Sequence, residues 1–171
     1  YGLIASYGTS VRPDSVVWDI GSCSGSVAIE AARLASFGRV YAVEKSAGRV
    51  KDIKANIRRF GVDNVEVLYG IAPDCLRKKD IALPDVVFVG GGGSKVGEIL
   101  AFLARRIKPG ARVVATAVTL ETASAVTAFF NKALWQVETT LVSLAKTRNI
   151  GELNLLGAYN PVFVLSASKP C

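Results

Sequence analysis

A regular alternation of strand and helix patterns is the feature that most limits the folds open to this chain. Five short apolar runs, each typical of a buried parallel strand, occupy residues 15–21, 39–45, 65–70, 85–91 and 111–118. Apolar residues at helical spacing follow them at 26–37, 47–60, 73–80, 95–107 and 121–134. Strands joined through helices pair in parallel by right-handed crossovers, so we expect helices on both faces of one sheet.

The end of the chain departs from this alternation. Two longer β-rich runs, 135–145 and 155–167, have no helical pattern between them, and we expect them to pair as an antiparallel hairpin at one edge. The predicted fold is therefore α/β and Rossmann-like: a seven-stranded, mostly parallel sheet with an antiparallel last strand, in one domain spanning residues 1–171. Because the first residue is Tyr1 and not methionine, we interpret the domain as the C-terminal part of a longer chain.

Composition argues against several kinds of active site. The chain has no histidine and three cysteines, Cys23, Cys75 and Cys171, without a Cys-x-x-Cys pair. We therefore expect no metal site and no histidine-dependent nucleophilic catalysis. Apolar runs too short to cross a bilayer, no signal-peptide pattern and no disulfide framework predict a cytoplasmic protein. The net charge of +7 favours an anionic ligand, with a merely solvated basic surface as the alternative.

The segment VVWDIGSCSGSVAIEAARLA, residues 16–35, places an acid and a loop of small residues between a strand and a helix. In a doubly wound sheet this loop lies at the carboxyl ends of the strands, where ligands bind. A dinucleotide pattern, Gly-x-Gly-x-x-Gly, anchored at Gly21 would need glycine at positions 23 and 26. The pattern acid-x-Gly-x-Gly-x-Gly matches at Asp19, Gly21 and Gly25, and only Cys23 departs. The loop therefore favours S-adenosylmethionine over NAD.

Residues after the second and third strands extend this predicted cofactor site. Glu44 ends the second strand, where a carboxylate can bind ribose hydroxyls, although it could instead pair with Lys45 or Arg49. The turn at residues 70–73 should lie beside the adenine. Cys23 is interpreted as a small filler, with a redox or nucleophilic role as the alternative. The predicted cofactor-binding residues are Asp19, Gly21, Ser22, Cys23, Gly25, Glu44, Lys45, Gly70, Ile71, Ala72 and Gly90.

The loop after the fourth strand reads FVGGGGSK, residues 88–95, with four consecutive glycines. Such a loop exposes backbone and can form a floor for a large flat ligand or an anion. A flexible loop that binds no ligand is the alternative. The loop lacks the Asp/Asn-Pro-Pro-aromatic pattern that amino-methylating nucleic-acid enzymes typically carry at this place.

Several segments resemble the precorrin methyltransferases of the cobalamin pathway, in particular the decarboxylating enzyme of precorrin-6 intermediates. The similar segments are WDIGSCSGSVAIEAARL, VYAVEK, NIRRFGVDNVEVLYGIAPDCL, PDVVFVGGGGS, VVATAVTLET and NPVFVL. They cover nearly the whole chain, and the four-glycine loop and AVTLET are the most specific. Cys23 departs from the family pattern, which usually has glycine there.

The resemblance implies methyl transfer from S-adenosylmethionine to the C15 meso carbon of a precorrin, with loss of CO2 from the acetate on ring C (C12). It also implies a homotetramer and a polycarboxylate tetrapyrrole substrate, and neither nucleic acid nor a membrane as partner. Glu121 either relays a proton or only starts a helix, and Arg148 with Asn149 either reaches a carboxylate or lies in a solvated loop. The candidate substrate-binding residues are Gly91, Gly92, Gly93, Ser94 and Arg148, and the candidate catalytic residues are Thr119 and Glu121.

Two other functions fit the same fold. A tRNA adenine methyltransferase would also be basic, and its nucleic-acid binding would depend steeply on salt. A methyltransferase-like binding domain, with its pocket degraded at Cys23 and Ile71, would not bind S-adenosylmethionine.

Overall fold

The computed structural model describes residues 11–77, 80–90 and 93–171. Short 3-10 helices lie at Asp74–Arg77 and Gly93–Lys95. The strands and helices follow in the order β1 (Val16–Ile20), α1 (Ser26–Leu34), β2 (Arg39–Glu44), α2 (Ala47–Phe60), β3 (Val65–Tyr69), β4 (Val86–Gly90), α3 (Val96–Arg106), β5 (Arg112–Ala117), α4 (Leu120–Lys132), β6 (Val137–Val142), β7 (Ala145–Ile150), β8 (Leu153–Ala158) and β9 (Val162–Ser168).

Seven strands form one sheet in the order β3-β2-β1-β4-β5-β9-β6. Strands β1 to β5 are parallel, and β9 runs antiparallel between β5 and β6. This confirms the predicted α/β fold with a seven-stranded, mostly parallel sheet. The winding reverses at β1, which pairs with β2 on one side and β4 on the other. The loops after β1, β2 and β4 therefore surround a crevice at the carboxyl edge of the sheet, where ligands bind in such folds.

Two apolar layers cover the sheet. On one face α1 and α2 contribute residues such as Ala28 and Ile53, which pack on Val17 and Val40. On the other face α3 and α4 contribute a larger cluster, which includes Leu100, Leu103 and Phe130. Trp18 is fully buried in this second cluster. Alternate residues of β1 thus point into different layers, which fixes its register and positions the loop that follows.

Local sequence explains where the helices begin and end. Ser46 precedes α2 and its Oγ accepts the N–H of Arg49 at 3.4 Å, and Gly61 ends the helix with φ 63°. Helix α4 begins one residue before its predicted start, because the Oγ1 of Thr119 accepts the N–H of Thr122 at 3.3 Å. Helix α1 ends at Leu34, three residues before its predicted end.

The short helix predicted at residues 73–80 is a 3-10 helix in the structure and occupies Asp74–Arg77. The described chain forms a single 3-10 turn at Asp74–Arg77, closed by the N–H of Leu76 donating to the carbonyl of Pro73 at 2.9 Å. Residues 78 and 79 lie outside the described residues. The buried side chain of Leu76 anchors the turn to the core.

The segment between the last two strands of the main sheet contradicts the loop alternative for Arg148 and Asn149. Strands β6 and β9 do pair in antiparallel fashion, but the chain between them is not a loop. Its strands β7 and β8 form a separate two-stranded sheet, and Arg148 and Asn149 lie within β7. We call this hairpin, residues 145–158, the arm. It leaves the main sheet at the paired residues Val142 and Val162, beside the carboxyl end of β5.

The described helices include none that is long and apolar enough to cross a membrane.

Candidate cofactor site

A cavity of about 380 Å³ opens at the carboxyl edge of the sheet, where β1 separates β2 from β4. Its volume is at the small end of the range for ligand sites. Eight of the predicted site residues line it: Gly21, Glu44, Lys45, Gly70, Ile71, Ala72, Gly90 and Gly93. Four lining residues were not predicted from the sequence: Ile20, Val43, Lys95 and Ile99.

The loop after β1 is held against the neighbouring strands by its backbone. The N–H groups of Gly21 and Ser22 both donate to the carbonyl of Val43 at 3.0 Å. Gly21 has φ 81°, and a Cβ at this position would clash with the carbonyl oxygen of Gly90. Only glycine meets both conditions, so the first glycine of the loop is fixed by the close approach of β1 and β4.

Asp19 lies behind this loop and not in the cavity wall. Its Oδ2 accepts the hydroxyl of Ser22 at 2.6 Å and the N–H of Ala28 at 3.1 Å, so one carboxylate joins β1, the loop and α1. Burial raises the pKa of Asp19 from its ordinary value of 3.8 to about 6, the hydrogen bonds from Ser22 and Ala28 oppose the rise, and the nearby Glu44 carboxylate adds to it. Asp19 therefore shapes the loop after β1 from within the core.

Glu44 joins the loops after β1 and β2. Its Oε2 accepts the N–H of Cys23 at 2.9 Å, and its Oε1 accepts the N–H of Ser46 at 2.8 Å. The side chain lines the cavity although the residue is only 8% exposed. A carboxylate oxygen has more than one lone pair, so each can also accept a hydroxyl from the cavity. This geometry argues against the alternative in which Glu44 is an exposed acid paired with Lys45 or Arg49.

Cys23 adopts a backbone conformation that glycine usually fills. Its φ is 53°, in the left-handed region, and its side chain is exposed. Its N–H nevertheless makes the hydrogen bond to Glu44 that a glycine would make. The departure from the family pattern therefore preserves the path of the loop and places a thiol on its outer surface.

The turn after β3 closes one side of the cavity. The N–H of Gly70 donates to the carbonyl of Glu44 at 3.0 Å, which joins this turn to the end of β2. Ile71 follows and is 51% exposed at the cavity wall. Together with Ala72 it presents an apolar surface beside the Glu44 carboxylate, which suits the flat apolar face and polar ribose of a nucleoside.

The turn after β4 closes the opposite side. Gly90 and Gly93 line the cavity, and Gly93 has φ 52° with no atom near the position of a Cβ. Gly91 and Gly92 lie outside the described residues, as does the side chain of Ser94. Lys95 and Ile99 complete this side, and the ordinary helical pattern of residues 95–107 gave no signal that they would do so.

The remaining predicted residues do not line the cavity. Ser22, Cys23 and Gly25 belong to the loop around it, with Gly25 at φ 84° directly before α1. Thr119 caps α4, and Glu121 is exposed in the first turn of that helix. Arg148 is exposed on the arm. Among the described residues, no group of three or more Cys, Asp or Glu is placed to hold a metal ion.

Comparison with known proteins assigns the family. The precorrin methyltransferase domain matches residues 8–169. This chain belongs to that family. Over 153 residues, it is 32% identical to a protein of Sulfurisphaera tokodaii named probable cobalt-precorrin-6B C(15)-methyltransferase (decarboxylating), a match that covers 89% of this chain and 79% of that protein.

Solved structures of family members have the same fold. The precorrin-6y C5,15-methyltransferase of Geobacter metallireducens is 35% identical, with a TM-score of 0.86 over 94% of this chain and 84% of that one. The precorrin 8w decarboxylase of Methanobacterium thermoautotrophicum is 28% identical, with a TM-score of 0.86 over 96% of this chain and 87% of that one. The predicted resemblance to the precorrin methyltransferases is thereby confirmed.

Proposed function

We propose that this chain transfers a methyl group from S-adenosylmethionine to C15 of a precorrin and removes CO2 from the ring C (C12) acetate, in cobalamin biosynthesis. The observation that carries the proposal is the cavity at the reversal point of the sheet, with the Glu44 carboxylate in its wall, in a chain of the precorrin methyltransferase family. Family membership also favours this function over a tRNA adenine methyltransferase and over a non-catalytic binding domain.

The cavity residues fit S-adenosylmethionine. Glu44 would accept the ribose hydroxyls, Ile71 and Ala72 would pack on the adenine, and Gly21 with Gly90 would leave room for the methionine end. Four residues would act indirectly by holding the loop after β1: Asp19, Ser22, Cys23 and Gly25. The nucleoside side of the cavity would be closed by Lys45 and Gly70. When bound, the cofactor supplies an electrophilic methyl group on a positively charged sulfur.

The chain needs few reacting side chains for this chemistry. The meso carbon of an enamine-like macrocycle is itself a nucleophile, and a protonated pyrrolic system can accept the electron pair that stays behind when CO2 leaves. The protein must hold the macrocycle against the cavity and exclude water. A site without histidine can do both.

We propose that the macrocycle rests on the turn after β4, with Gly91, Gly92, Gly93 and Ser94 beneath it. Arg148 is proposed to contact one of its carboxylates from the arm, which leaves the main sheet at this same edge. Thr119 and Glu121, at the start of α4, remain the predicted catalytic residues, although both have structural roles in the helix start.

The variant Glu121→Gln distinguishes a catalytic role of Glu121 from a purely structural role at the start of α4. If Glu121 relays a proton, Glu121→Gln should lower CO2 release while methyl transfer to the meso carbon persists. If Glu121 only favours the helix start, both activities should survive with a stability loss of about 0.3–1 kcal/mol. Mass spectrometry of the tetrapyrrole distinguishes these results, since a methyl gain and a CO2 loss are separate mass changes.

We also propose that the chain forms a homo-oligomer through its arm, a tetramer by family resemblance. A two-stranded hairpin alone is marginally stable in water. Exposed apolar side chains nevertheless lie on and beside this one: Leu144, Ile150, Leu153, Leu155, Leu156 and Tyr159. A second copy that packs on these side chains would stabilise the arm and remove an apolar patch from water.

A cytoplasmic setting and a small-molecule substrate, without nucleic acid or membrane, complete the proposal. The cytoplasmic setting is proposed from the cysteine pattern of the sequence, which has no disulfide framework.

Titration of the purified protein with S-adenosylhomocysteine, followed by turnover of a decarboxylatable precorrin, tests the function. We expect cofactor binding, and a product that has gained one methyl and lost one CO2. A protein that binds S-adenosylhomocysteine but leaves the precorrin unchanged while methylating tRNA would contradict the proposal.

A further inference from the structure

The cavity has two cationic side chains in its wall within the described residues, and they lie on opposite sides. Lys45 follows β2 on the nucleoside side, beside Glu44. Lys95 follows β4 on the side of the four-glycine loop. Because β2 and β4 flank β1 on opposite sides, the two lysines belong to opposite walls of the cavity.

Lys95 has a position that helix stability does not explain. It is the residue directly before α3, a place that favours Ser, Thr, Asp or Asn, and its side chain makes no capping hydrogen bond. The helix dipole disfavours a positive charge there. Glu98 lies three residues further on, yet no ion pair joins it or any other carboxylate of the described chain to Lys95.

We propose that Lys95 determines substrate specificity by binding a side-chain carboxylate of the tetrapyrrole at the cavity mouth. The inference rests on the proposed function, because it takes the substrate to be a polycarboxylate macrocycle. Lys95 is exposed, so it keeps its hydration until a ligand arrives, and its ammonium then forms a charge-assisted hydrogen bond. A cavity of about 380 Å³ is too small for the cofactor and a macrocycle together. The macrocycle would therefore extend out of the cavity mouth, past Lys95.

The carboxylate that Lys95 binds is one that the reaction retains. Loss of CO2 breaks the bond between the acetate methylene and its carboxylate carbon and leaves the electron pair of that bond in the macrocycle, and the step is completed when the methylene takes up a proton and becomes a methyl group. An ion pair with that acetate would stabilise the starting state more than the transition state and would slow the step. Lys95 is therefore a positioning residue, paired with a carboxylate that stays on the product.

The test compares Lys95→Ala and Lys95→Arg with Lys54→Ala, which removes an exposed lysine from α2. We expect Lys95→Ala to raise the KM for the precorrin about 5- to 20-fold, which corresponds to about 1–2 kcal/mol, with kcat for both activities within about twofold. Lys95→Arg should recover most of the loss, and Lys54→Ala should match the wild type. The affinity for S-adenosylhomocysteine should be unchanged in all three.

A binding measurement with methyl-ester probes identifies the group that Lys95 contacts. An otherwise identical tetrapyrrole whose carboxylates are methyl esters should bind wild type and Lys95→Ala equally, while the free acid should distinguish them. Lower S-adenosylhomocysteine affinity in Lys95→Ala would overturn the inference by placing Lys95 on the cofactor. An unchanged KM for the precorrin in an active Lys95→Ala protein would overturn the inference about Lys95 and leave the proposed function intact. A wild-type protein that does not convert any precorrin would overturn the proposed function, and this inference with it.

Discussion

The candidate cofactor cavity and the arm lie at the same edge of the sheet and are built in opposite ways. Around the cavity, Asp19 and Glu44 have their carboxylates engaged by hydroxyl and N–H groups of the chain itself. On the arm, β7 is exposed along its whole length, and Leu153 of β8 is 75% exposed. The polar groups of the first region are paired within the described chain, and the second region presents apolar surface that the described residues do not cover.

This difference separates two kinds of function. Polar groups paired in a buried loop fix a binding geometry, because leaving any of them unpaired costs free energy. Apolar side chains on a two-stranded hairpin gain free energy only when something else covers them. Substitutions in the cavity should therefore change ligand affinity or local stability, whereas substitutions on the arm should change assembly.

The largest effect is expected on the arm. Leu153 and Leu156 lie on its opposite faces, because residues three apart in a strand point to different sides. Replacing both with aspartate should place an unpaired carboxylate in any interface that uses either face, at a cost of about 3–5 kcal/mol. Sedimentation velocity should then show a smaller particle, with the affinity for S-adenosylhomocysteine retained.

Phe37→Asp is the matched control for the arm variant. Phe37 is 88% exposed, but it precedes β2 at the opposite edge of the sheet. It should leave the assembly intact. An unchanged particle size in the arm variant, or a wild-type protein that sediments as a monomer, would contradict the proposed interface.

The next effect is expected at Glu44. Glu44→Ala removes the acceptor for the N–H groups of Cys23 and Ser46 and, in the proposed complex, for the ribose hydroxyls. The affinity for S-adenosylhomocysteine should fall by about 1–3 kcal/mol in calorimetric titration. Glu44→Gln, which keeps one acceptor oxygen, should lose less. Glu66→Ala is the matched control, because it removes an exposed acid that is paired with Arg39 on the same side of the sheet. The affinity for S-adenosylhomocysteine should not change in this variant. Full affinity in a folded Glu44→Ala protein would remove Glu44 from the site.

A pH-dependent effect of about 2 kcal/mol is expected at Asp19. Its folded pKa of about 6 lies above the ordinary 3.8, so the folded state binds the proton more tightly than the unfolded state. The resulting stabilisation is fully present below pH 3.8 and is lost as the pH rises through about 6. Between pH 7 and pH 4.5 the wild type should therefore gain about 2 kcal/mol of unfolding free energy relative to Asp19→Asn.

Urea denaturation at the two pH values measures this difference. Carboxylates that do not interact with Asp19 are shared by both proteins, so their contributions cancel in the comparison. A constant difference between wild type and Asp19→Asn at both pH values would show that Asp19 does not titrate in this window.

The fold could be predicted from the sequence because the central strands are apolar on both faces and separated by amphipathic helices. The arm could not be predicted in this way. The sequence AKTRNI of β7 has no clear alternation of polar and apolar residues. Such alternation arises when one face of a strand is buried, and β7 is exposed along its whole length. The turn at Asp74–Arg77 was predicted as a longer helix because a proline followed by Asp and Leu also starts helices.

The cavity wall formed by the ends of β1 and β2 could be predicted because its residues follow a loop pattern set by the backbone. Gly21 must be glycine to approach Gly90, and Glu44 ends a strand beside the loop. Lys95 could not be found, since a lysine at the edge of a helical pattern is usually a solvated charge. Thr119 was recognised as notable, but the structure shows it as the cap of α4.

The smallest effect is expected at Cys23 and concerns the outer surface of the loop. A left-handed conformation costs a residue with a Cβ about 1–2 kcal/mol, and glycine avoids this cost. The unfolded chain with glycine has more conformational entropy, which offsets about 0.5–1 kcal/mol of the stabilisation gained by removing the strain. Cys23→Gly should therefore raise the free energy of unfolding by about 0.5–1 kcal/mol in urea denaturation. Cofactor affinity and turnover should be retained, because the N–H that donates to Glu44 is kept.

Cys23→Ser keeps the strained backbone and should be no more stable than the wild type. If Cys23→Ser folds but cannot turn over substrate, the thiol takes part in chemistry, and its interpretation as a filler is wrong.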